Sequence, residues 1–283
     1  MKLTPDVLRM NMPEVEARIL RFIKDYVQKT GAAGIVLGLS GGIDSCTVAA
    51  LSAKAIGGER VLGLMLFENE TRSTIDVQHA MLVTRKFKLK TESTDITASL
   101  EELYKSIRIF DPSDRLSKGN IKARTRMIYN YYYANRLKRI VCGSSDKSES
   151  MMGYFTKWGD VAADISPIMD LYKTQVRNLA GHMQIPRAII KKPSSPALWP
   201  NQLAEDELGM PYEQLDLILY GLEHFMKTEE IGAQLRIEPQ IVKKVKQTWL
   251  SAEHKRRVLL TAKLEYRTIG TDFRLRRDPN QAT

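Results

Sequence analysis

The sequence is poor in the features that mark secreted, cysteine-bridged and membrane-bound proteins. Only two cysteines occur in its 283 residues, Cys46 and Cys142, and neither belongs to a CxxC pair. This scarcity argues against a disulfide framework and against a cysteine-rich metal site. No run approaches the roughly 20 apolar residues that cross a bilayer, and Met1–Met12 has no apolar core like that of a signal peptide. We therefore expect a cytoplasmic protein without membrane association.

Acidic residues are outnumbered by basic ones, which leaves a formal net charge of +10. Such a balance is typical of nucleic-acid-binding proteins and equally of clefts that concentrate small anions. The basic residues are spread along the chain apart from Lys243–Lys246 and Arg274–Arg277, and no basic arm with interleaved aromatic residues occurs. We therefore expect an anionic small molecule such as a nucleotide as the partner, and not nucleic acid.

Short apolar runs alternate with helical patterns in the first half of the chain. In the first helical pattern, Val15, Ile19 and Ile23 recur with the period of an amphipathic helix. The predicted helices are Pro13–Thr30, Cys46–Ile56, Ser73–Phe87 and Asn120–Leu137. The predicted strands are Gly34–Leu39, Val61–Phe67, a weak strand near Thr94–Ile96, and Ile140–Gly143.

The chain from Tyr172 onward shows only helical and loop patterns. Helices are predicted near 172–183, 212–225, 228–236 and 239–256, and the proline-rich stretch Lys191–Pro200 is predicted to be a loop. Because strands that alternate with helices form parallel sheets covered on both faces, we expect an α/β fold. It would be a doubly wound, mostly parallel sheet with helices on both faces and a helical C-terminal portion. One domain would span 1–283, with a core at 13–257 and a basic tail at 258–283.

The turn after the first predicted strand reads Ser-Gly-Gly-Ile-Asp-Ser, residues 40–45. Two glycines allow a tight turn and a close approach of a ligand to the backbone, and the N–H groups that begin the next helix favour an anion. The turn is neither a Walker A loop nor a GxGxxG loop. Asp44 would repel phosphate unless a divalent cation lay between them. In the alternative interpretation, this is an ordinary turn in which Asp44 interacts with the helix dipole.

The string SGGxDS resembles the pyrophosphatase loop of enzymes that adenylate their substrates and release pyrophosphate. Further segments resemble the NAD synthetase family in that family's order, over nearly the whole chain: NIKARTRM at 120–127, GSSDKSE at 143–149, GYFTKWGD at 153–160, PIMDLYKT at 167–174, EDELG at 205–209 and the pair His254–Lys255. The resemblance implies ATP-dependent amidation of nicotinic acid adenine dinucleotide through an acyl-adenylate. It also implies ammonia as nitrogen donor, Mg²⁺ as cofactor, release of AMP and pyrophosphate, and a homodimer.

The resemblance assigns roles to particular positions. ATP would contact the first turn and its flanks together with three later residues: Gly38, Leu39, Ser40, Gly41, Gly42, Ile43, Asp44, Ser45, Ser144, Lys173 and Ser195. The dinucleotide would contact Arg124, Lys157, Asp164, His254 and Lys255, and Mg²⁺ would be bound by Asp44 and Glu149. Lys173 would stabilise charge on the phosphates. Asp160 would orient ammonium and remove its proton, because NH₄⁺ has no lone pair to attack with.

The chain departs from the family pattern at several positions. Val161 and Ala162 replace two glycines, Ser145 and Asp146 replace glycine and asparagine, and Asn201 replaces a glycine. These changes leave open an altered carboxylate substrate. The other open interpretations are a different adenylating enzyme with the same loop, such as a tRNA-modifying enzyme, and a non-catalytic nucleotide-binding homologue.

A glutaminase activity would require an activated nucleophile, usually a cysteine paired with a base. Cys142 ends a predicted buried strand, and Cys46 follows the glycine turn, where a helix N-terminus would lower its pKa. Cys46 is therefore the only candidate, and the 283 residues are already occupied by segments that resemble the synthetase. We expect free ammonia to be the donor.

Overall fold

The computed structural model describes residues 2–257, 259–269 and 272. Its centre is one sheet of four parallel strands in the order β3-β2-β1-β4, where the strands are β1 (Ile35–Gly38), β2 (Val61–Phe67), β3 (Lys90–Asp95) and β4 (Ile140–Val141). In the register of the sheet, Ile35 of β1 lies beside Val61 on one side and beside Ile140 on the other.

Helices cover both faces of this sheet. Successive side chains of a strand point to opposite faces, so the apolar strands place apolar side chains on both faces. Ile35 and Leu37 belong to one hydrophobic core and Val36 to another. The first core is closed by α1 (Met12–Lys29), α2 (Ile43–Ile56), α3 (Thr74–Phe87) and α7 (Lys173–His182). The opposite face packs against α5 (Arg115–Arg136), and α5 in turn contacts α4 (Thr97–Ser106).

The C-terminal helices build a third buried cluster beside the sheet. These elements are α6 (Lys147–Met152), α9 (Ala204–Leu208), α10 (Tyr212–Glu223), α11 (Thr228–Leu235) and α12 (Pro239–Ser251). The short helix α8 (Arg187–Lys191) packs in the first core through Ile189, and α13 (Glu253–Arg256) follows α12 without a buried residue. Leu215 and Ile218 of α10 are fully buried there, together with Met151 and Met152 of α6. Leu3 and Leu8 join this cluster from the N-terminal end. Among the described residues, no helix is both long and apolar enough to cross a membrane.

The predicted fold class is confirmed, while several boundaries differ. The strand predicted near Thr94–Ile96 is β3, which begins at Lys90; its polar sequence KTESTD fits an edge strand with half-exposed faces and gives little hydrophobic signal. The first turn of α2 begins at Ile43, three residues before the predicted start. Helix α4 is not among the predicted elements. The predicted helix 239–256 is divided at Ala252 into α12 and α13. Arg274–Arg277 lies outside the described residues.

The topology determines where a ligand fits. The chain runs from β1 through β2 to β3 on one side of the sheet, whereas β4 pairs with β1 on the other side. Between β1 and β4 the following connections therefore diverge and leave a crevice at the carboxyl ends of the strands, which is where ligands bind in open α/β sheets. The turn Ser40–Ser45 follows β1, and the segment Gly143–Glu149 follows β4.

Candidate active site

A cleft of about 670 Å³ opens at these carboxyl ends. Its lining includes the glycine turn, the segment after β4, one side of α5, the loop at 192–202, and the start of α13. Most of the predicted site residues line it: Gly38, Leu39, Ser40, Gly42, Ile43, Asp44, Ser45, Arg124, Ser144, Glu149, Lys157, Asp160, Ser195, His254 and Lys255. The cleft therefore gathers residues that lie more than 200 positions apart in the chain.

The glycine turn is held in a single shape by its own hydroxyl groups. Ser45 Oγ accepts from the Ser40 N–H at 3.2 Å, lies 3.0 Å from Ser40 Oγ, and donates to the Gly42 carbonyl at 3.1 Å. Gly41 has φ +81°, and a Cβ built there would lie 2.1 Å from the carbonyl oxygen of Asp76. Only glycine fits this position, because both the left-handed backbone and the contact with α3 exclude a side chain.

Lys173, the first residue of α7, lies beneath the cleft and is fully buried. Its Nζ is 2.7 Å from Asp44 Oδ2, 2.7 Å from Asp146 Oδ2 and 2.9 Å from Glu149 Oε1. Asp44 and Glu149 retain about a fifth of their exposure, at 19% and 20%, whereas Asp146 has none. The lysine therefore joins the turn after β1 to the start of α6.

The charges of this cluster do not balance. Burial by itself lowers the pKa of Lys173, but the carboxylates of Asp146, Asp44 and Glu149 together hold that pKa well above its usual range. Burial and the Asp146 carboxylate raise the pKa of Glu149 well above its usual value, and burial raises that of Asp146. One ammonium among three carboxylates leaves an excess of negative charge that favours a further cation.

Asp146 is the member of the cluster that the sequence does not predict. It is the N-cap of α6: its Oδ1 accepts from the Glu149 N–H at 2.8 Å, and its other oxygen faces Lys173. An oxygen from each of Asp44, Asp146 and Glu149 lies within 4.8 Å of the others. The spacing of Asp146 and Glu149, an acid followed by Glu three residues later, is the capping-box signal that would have identified the N-cap.

A second group of residues forms the opposite wall, through contacts between side chains and main-chain carbonyls. Arg124 Nη2 donates to the Lys157 carbonyl at 3.2 Å, and Lys157 Nζ donates to the His254 carbonyl at 2.8 Å. Lys255 Nζ donates to the carbonyls of Gly153 and Phe155 at 2.8 and 3.0 Å. These contacts join α5, the loop at 153–160 and α13 into one basic surface that faces the turn.

Asp160 also lines the cleft. Its Oδ1 accepts from the Thr156 N–H at 2.8 Å. Asp160 is exposed to the cleft, but the protein atoms crowded around its carboxyl displace water and raise its pKa. Hydrogen bonding from the Thr156 N–H and the charge of Arg126 act in the opposite direction. Arg126, which the sequence does not single out, also lines the cleft and donates to the Ala197 carbonyl at 3.4 Å.

Two further predicted site residues, Asp164 and Gly41, do not line the cleft. Asp164 is not among the residues that line the cleft; its Oδ2 accepts from the Val141 N–H at 2.7 Å, so its contact with a dinucleotide stays a prediction. Gly41 lies on the side of the turn that packs against the Asp76 carbonyl of α3. The expectation that a helix N-terminus lowers the pKa of Cys46 is wrong, because burial raises it to about 12. Cys142 is also buried, and burial raises its pKa to about 12.

The departures from the family pattern have local explanations. Asn201 has φ +58°, a left-handed conformation that asparagine tolerates better than most residues, so it occupies a backbone position suited to glycine. Neither Val161 nor Ala162 has a positive φ. Their backbone therefore does not require glycine, and the loop that carries Asp160 keeps its shape with these side chains.

Fold and cleft together define a class of protein: an α/β enzyme with a nucleotide-sized cleft, a glycine turn at the start of a helix, and a cluster of three carboxylates around a buried lysine. The sequence model described as NAD synthase matches residues 15–259. The chain belongs to the NAD synthase family.

Relatives and solved structures agree with this membership. The NH(3)-dependent NAD(+) synthetase of Hyperthermus butylicus is 42% identical over 252 residues, which cover 89% of this chain and 91% of the relative. The structure of NMN synthetase from Francisella tularensis is similar with a TM-score of 0.79 and 31% identity, over 90% of this chain and 99% of that chain. NH3-dependent NAD synthetase from Campylobacter jejuni gives a TM-score of 0.75 and 26% identity, over 90% and 100%.

Replacing Gly41 by alanine is expected to destabilise the turn. The left-handed backbone and the overlap with the Asp76 carbonyl should lower the free energy of unfolding by about 2 kcal/mol or more, measured by urea denaturation. Gly42→Ala is the matched control, because its φ is −77° and its added Cβ would lie 3.4 Å from Ser40 Oγ. Equal stability losses in the two variants would contradict this account of Gly41.

Proposed function

We propose that this chain is an ammonia-dependent NAD+ synthetase, a carbon–nitrogen ligase that converts nicotinic acid adenine dinucleotide to NAD with ATP. The observation that carries the proposal is the placement of the glycine turn and the Lys173 cluster opposite the Arg124–Lys157–His254 wall in one cleft. Residues 13–257 would act as one adenylating unit. A tRNA-modifying activity is set aside because the family match and the relatives lie with NAD synthetases.

The reaction would proceed in two steps within this cleft. In the first, the pyridine carboxylate attacks the α-phosphorus of ATP, the bond to the β-phosphate breaks, and pyrophosphate leaves. In the second, ammonia attacks the acyl-adenylate carbon and AMP leaves. Such transfers depend on positioning and charge neutralisation. The turn N–H groups would hold phosphate oxygens, while Lys173 stabilises their charge.

The residues of the cluster fit the Mg²⁺ that the family implies. Asp44, Asp146 and Glu149 supply the hard oxygen donors that this ion prefers. Asp44 Oδ1 is buried without a hydrogen-bond partner in the described part of the chain, which is the observation expected of an oxygen that awaits a cation. When bound, the ion would neutralise phosphate charge and bring ATP beside the carboxylates.

Asp160 would remove the proton of ammonium in the second step. Its carboxylate lines the cleft and accepts from the Thr156 N–H, and its raised pKa makes it a stronger base than a free aspartate. Neutralising ammonium next to the acyl carbon would produce the nucleophile where it is needed, because only NH₃ carries a free lone pair.

A second candidate substrate is the corresponding mononucleotide. The Francisella tularensis structure, described as an NMN synthetase, has a TM-score of 0.79 with this chain, at least as high as the 0.75 of the Campylobacter jejuni NAD synthetase. Fold similarity therefore does not separate the two substrates. The same assay with both acids discriminates between them.

The decisive experiment follows products of the purified protein with ATP, Mg²⁺ and ammonium chloride. We expect equal amounts of AMP, pyrophosphate and NAD with the dinucleotide acid, and a kcat/KM for the mononucleotide acid at least ten-fold lower. Glutamine freed of ammonia should not replace ammonium, because the Cys46 and Cys142 thiols are buried and protonated. Release of ADP and inorganic phosphate, or equal turnover of the mononucleotide, would exclude the proposal as stated.

Replacing Asp44 by asparagine is expected to reduce activity far more than stability, because Asp146 and Glu149 remain as partners of Lys173. The substitution keeps the shape but removes a charge that faces both Lys173 and the proposed ion, and losing such an electrostatic contact lowers kcat by roughly 10²–10³. Asp25→Asn, at an exposed position of α1, serves as the control. Unchanged turnover of Asp44→Asn at saturating Mg²⁺ would leave only the helix-dipole role for Asp44.

The raised pKa of Asp160 predicts a pH dependence of the ammonia step. The base must be ionised, so activity is present above its pKa and is lost as pH falls through it, at a higher pH than for a free aspartate. Because the Arg126 cation lowers this pKa, Arg126→Gln should move the acid limb of the kcat profile to higher pH. Pyrophosphate–ATP exchange without ammonium provides the control and should not shift. An acid limb that Arg126→Gln leaves in place would refute this assignment.

We also propose a homodimer in which α5 contributes to the interface. Ile128 and Tyr132 lie one turn apart on α5, and 58% and 67% of their surfaces are exposed. Light scattering should give about twice the monomer mass of 32.2 kDa, and Tyr132→Glu should shift the protein towards monomer. Leu250→Glu, on α12 with 60% exposure, is the control. A wild-type protein that is monomeric at micromolar concentration would rule out the dimer.

The cytoplasmic location remains a prediction.

A further inference from the structure

Helix α10 carries a buried carboxylate that none of the proposed chemistry uses. Asp216 lies in the middle of α10 and is fully buried, among the apolar residues Leu215, Leu217 and Ile218. A buried charge needs several hydrogen bonds to be tolerated. The partners of Asp216 therefore indicate what this carboxylate does.

Both oxygens of Asp216 bind residues next to the Lys173 cluster. Oδ1 accepts from the Ser148 hydroxyl at 2.6 Å, and Oδ2 accepts from the Thr174 N–H at 2.8 Å. Ser148 Oγ in turn accepts from the Lys173 N–H at 2.9 Å. One carboxylate thus joins the first turn of α6 to the first turn of α7, and the serine hydroxyl closes a ring between them.

These two helix starts carry the charged groups of the cluster. Glu149 follows Ser148 in α6, and Lys173 precedes Thr174 in α7. The two helices belong to different cores, because Met151 and Met152 of α6 pack in the C-terminal cluster whereas Val176 and Leu179 of α7 pack beneath the sheet. Apolar packing alone does not set the distance between them to a fraction of an ångström, whereas hydrogen bonds with defined directions do.

We propose that Asp216 is a positioning residue that sets the distance between Glu149 and Lys173 for phosphate chemistry. This inference rests on the proposed roles of those two residues. Its consequence is that the C-terminal helical part determines the geometry of the ATP side of the cleft. A displacement of about 1 Å in a catalytic group can reduce the rate by about 10², so loss of the bridge should appear mainly in kcat.

Asp216→Asn is the informative substitution. The variant keeps the volume of the side chain, but its amide group presents one acceptor and one NH₂ to two partners. The Thr174 N–H can only donate, so the amide oxygen should face it and the NH₂ should face Ser148. Ser148 Oγ already accepts from the Lys173 N–H, and its own proton would lose its acceptor. We expect this loss to shift α6 relative to α7.

Glu223 offers a matched control on the same helix. It also bridges the two helix starts, accepting from Lys147 Nζ at 2.6 Å and from the Tyr172 hydroxyl at 2.6 Å. Its partners are the ends of long side chains, and it is 37% exposed. Glu223→Gln should therefore alter kcat by less than two-fold, although it removes a bridge between the same two segments.

The experiment measures NAD formation, KM for each substrate and thermal unfolding for the wild type, Asp216→Asn, Ser148→Ala, the double variant and Glu223→Gln. We expect kcat to fall at least five-fold in Asp216→Asn, with KM for the dinucleotide acid unchanged within two-fold. Because Arg124, Lys157 and His254 lie on other elements, a positioning defect at α6 and α7 should not affect that KM. The double variant should resemble Asp216→Asn, since both substitutions break one ring.

Three results would overturn the proposal. They are a fall in kcat of less than five-fold in Asp216→Asn, a rise in KM for the dinucleotide acid as large as the fall in kcat, and fully additive losses in the double variant. If Asp216→Asn does not fold, Ser148→Ala decides alone: a kcat within two-fold of the wild type contradicts the bridge, and a larger loss supports it. Lys173→Ala tests the premise separately. Retained activity in that variant would show that the proposed role of Lys173, not the bridge, had failed.

Discussion

The buried ammonium of Lys173 is the interaction on which the arrangement of the cleft depends. Without its carboxylate partners this charge would be costly to bury, and removing one partner of a buried ion pair destabilises a protein by about 3–5 kcal/mol. The lysine therefore requires Asp44 from the turn after β1 and the two acids at the start of α6 to remain within about 3 Å. The ammonium of Lys173 thus holds three segments together: the turn after β1, the start of α6 and the start of α7.

Other features of the structure support this point. Gly41 lets the turn pass close to α3, which places Asp44 over the floor of the cleft. Asp146 caps the start of α6 and faces the lysine with its second oxygen, so one residue both begins a helix and completes the cluster. Asp216 joins α6 and α7 from the C-terminal core. The cluster still has more negative than positive charge, and this excess is what makes a bound divalent cation favourable there.

The opposite wall follows a different principle, because its basic side chains are held by neutral carbonyl oxygens. Arg124 and Lys157 donate to the backbone of the next segment, and Lys255 does the same on the loop at 153–160. Their positive charges are thus oriented but not neutralised, which suits an anionic ligand. An excess of negative charge on one side and of positive charge on the other suits the binding of metal, nucleotide and a phosphate-bearing acid that we propose for this cleft.

The sequence by itself determined the parts of this protein that local physics controls. The alternation of apolar strands and amphipathic helices indicated the α/β class, and the glycines and spacing of residues 40–45 indicated a tight turn at the start of a helix. The bounds of edge strand β3 were misplaced and helix α4 was not predicted, because polar segments carry little periodic signal. Only the tertiary structure decided that Lys173 meets Asp44 across 129 positions, that Asp146 completes the cluster, that Asp216 bridges two helices and that Cys46 is buried with a raised pKa. Those properties depend on burial and on distances between remote segments, which spacing along the chain does not encode.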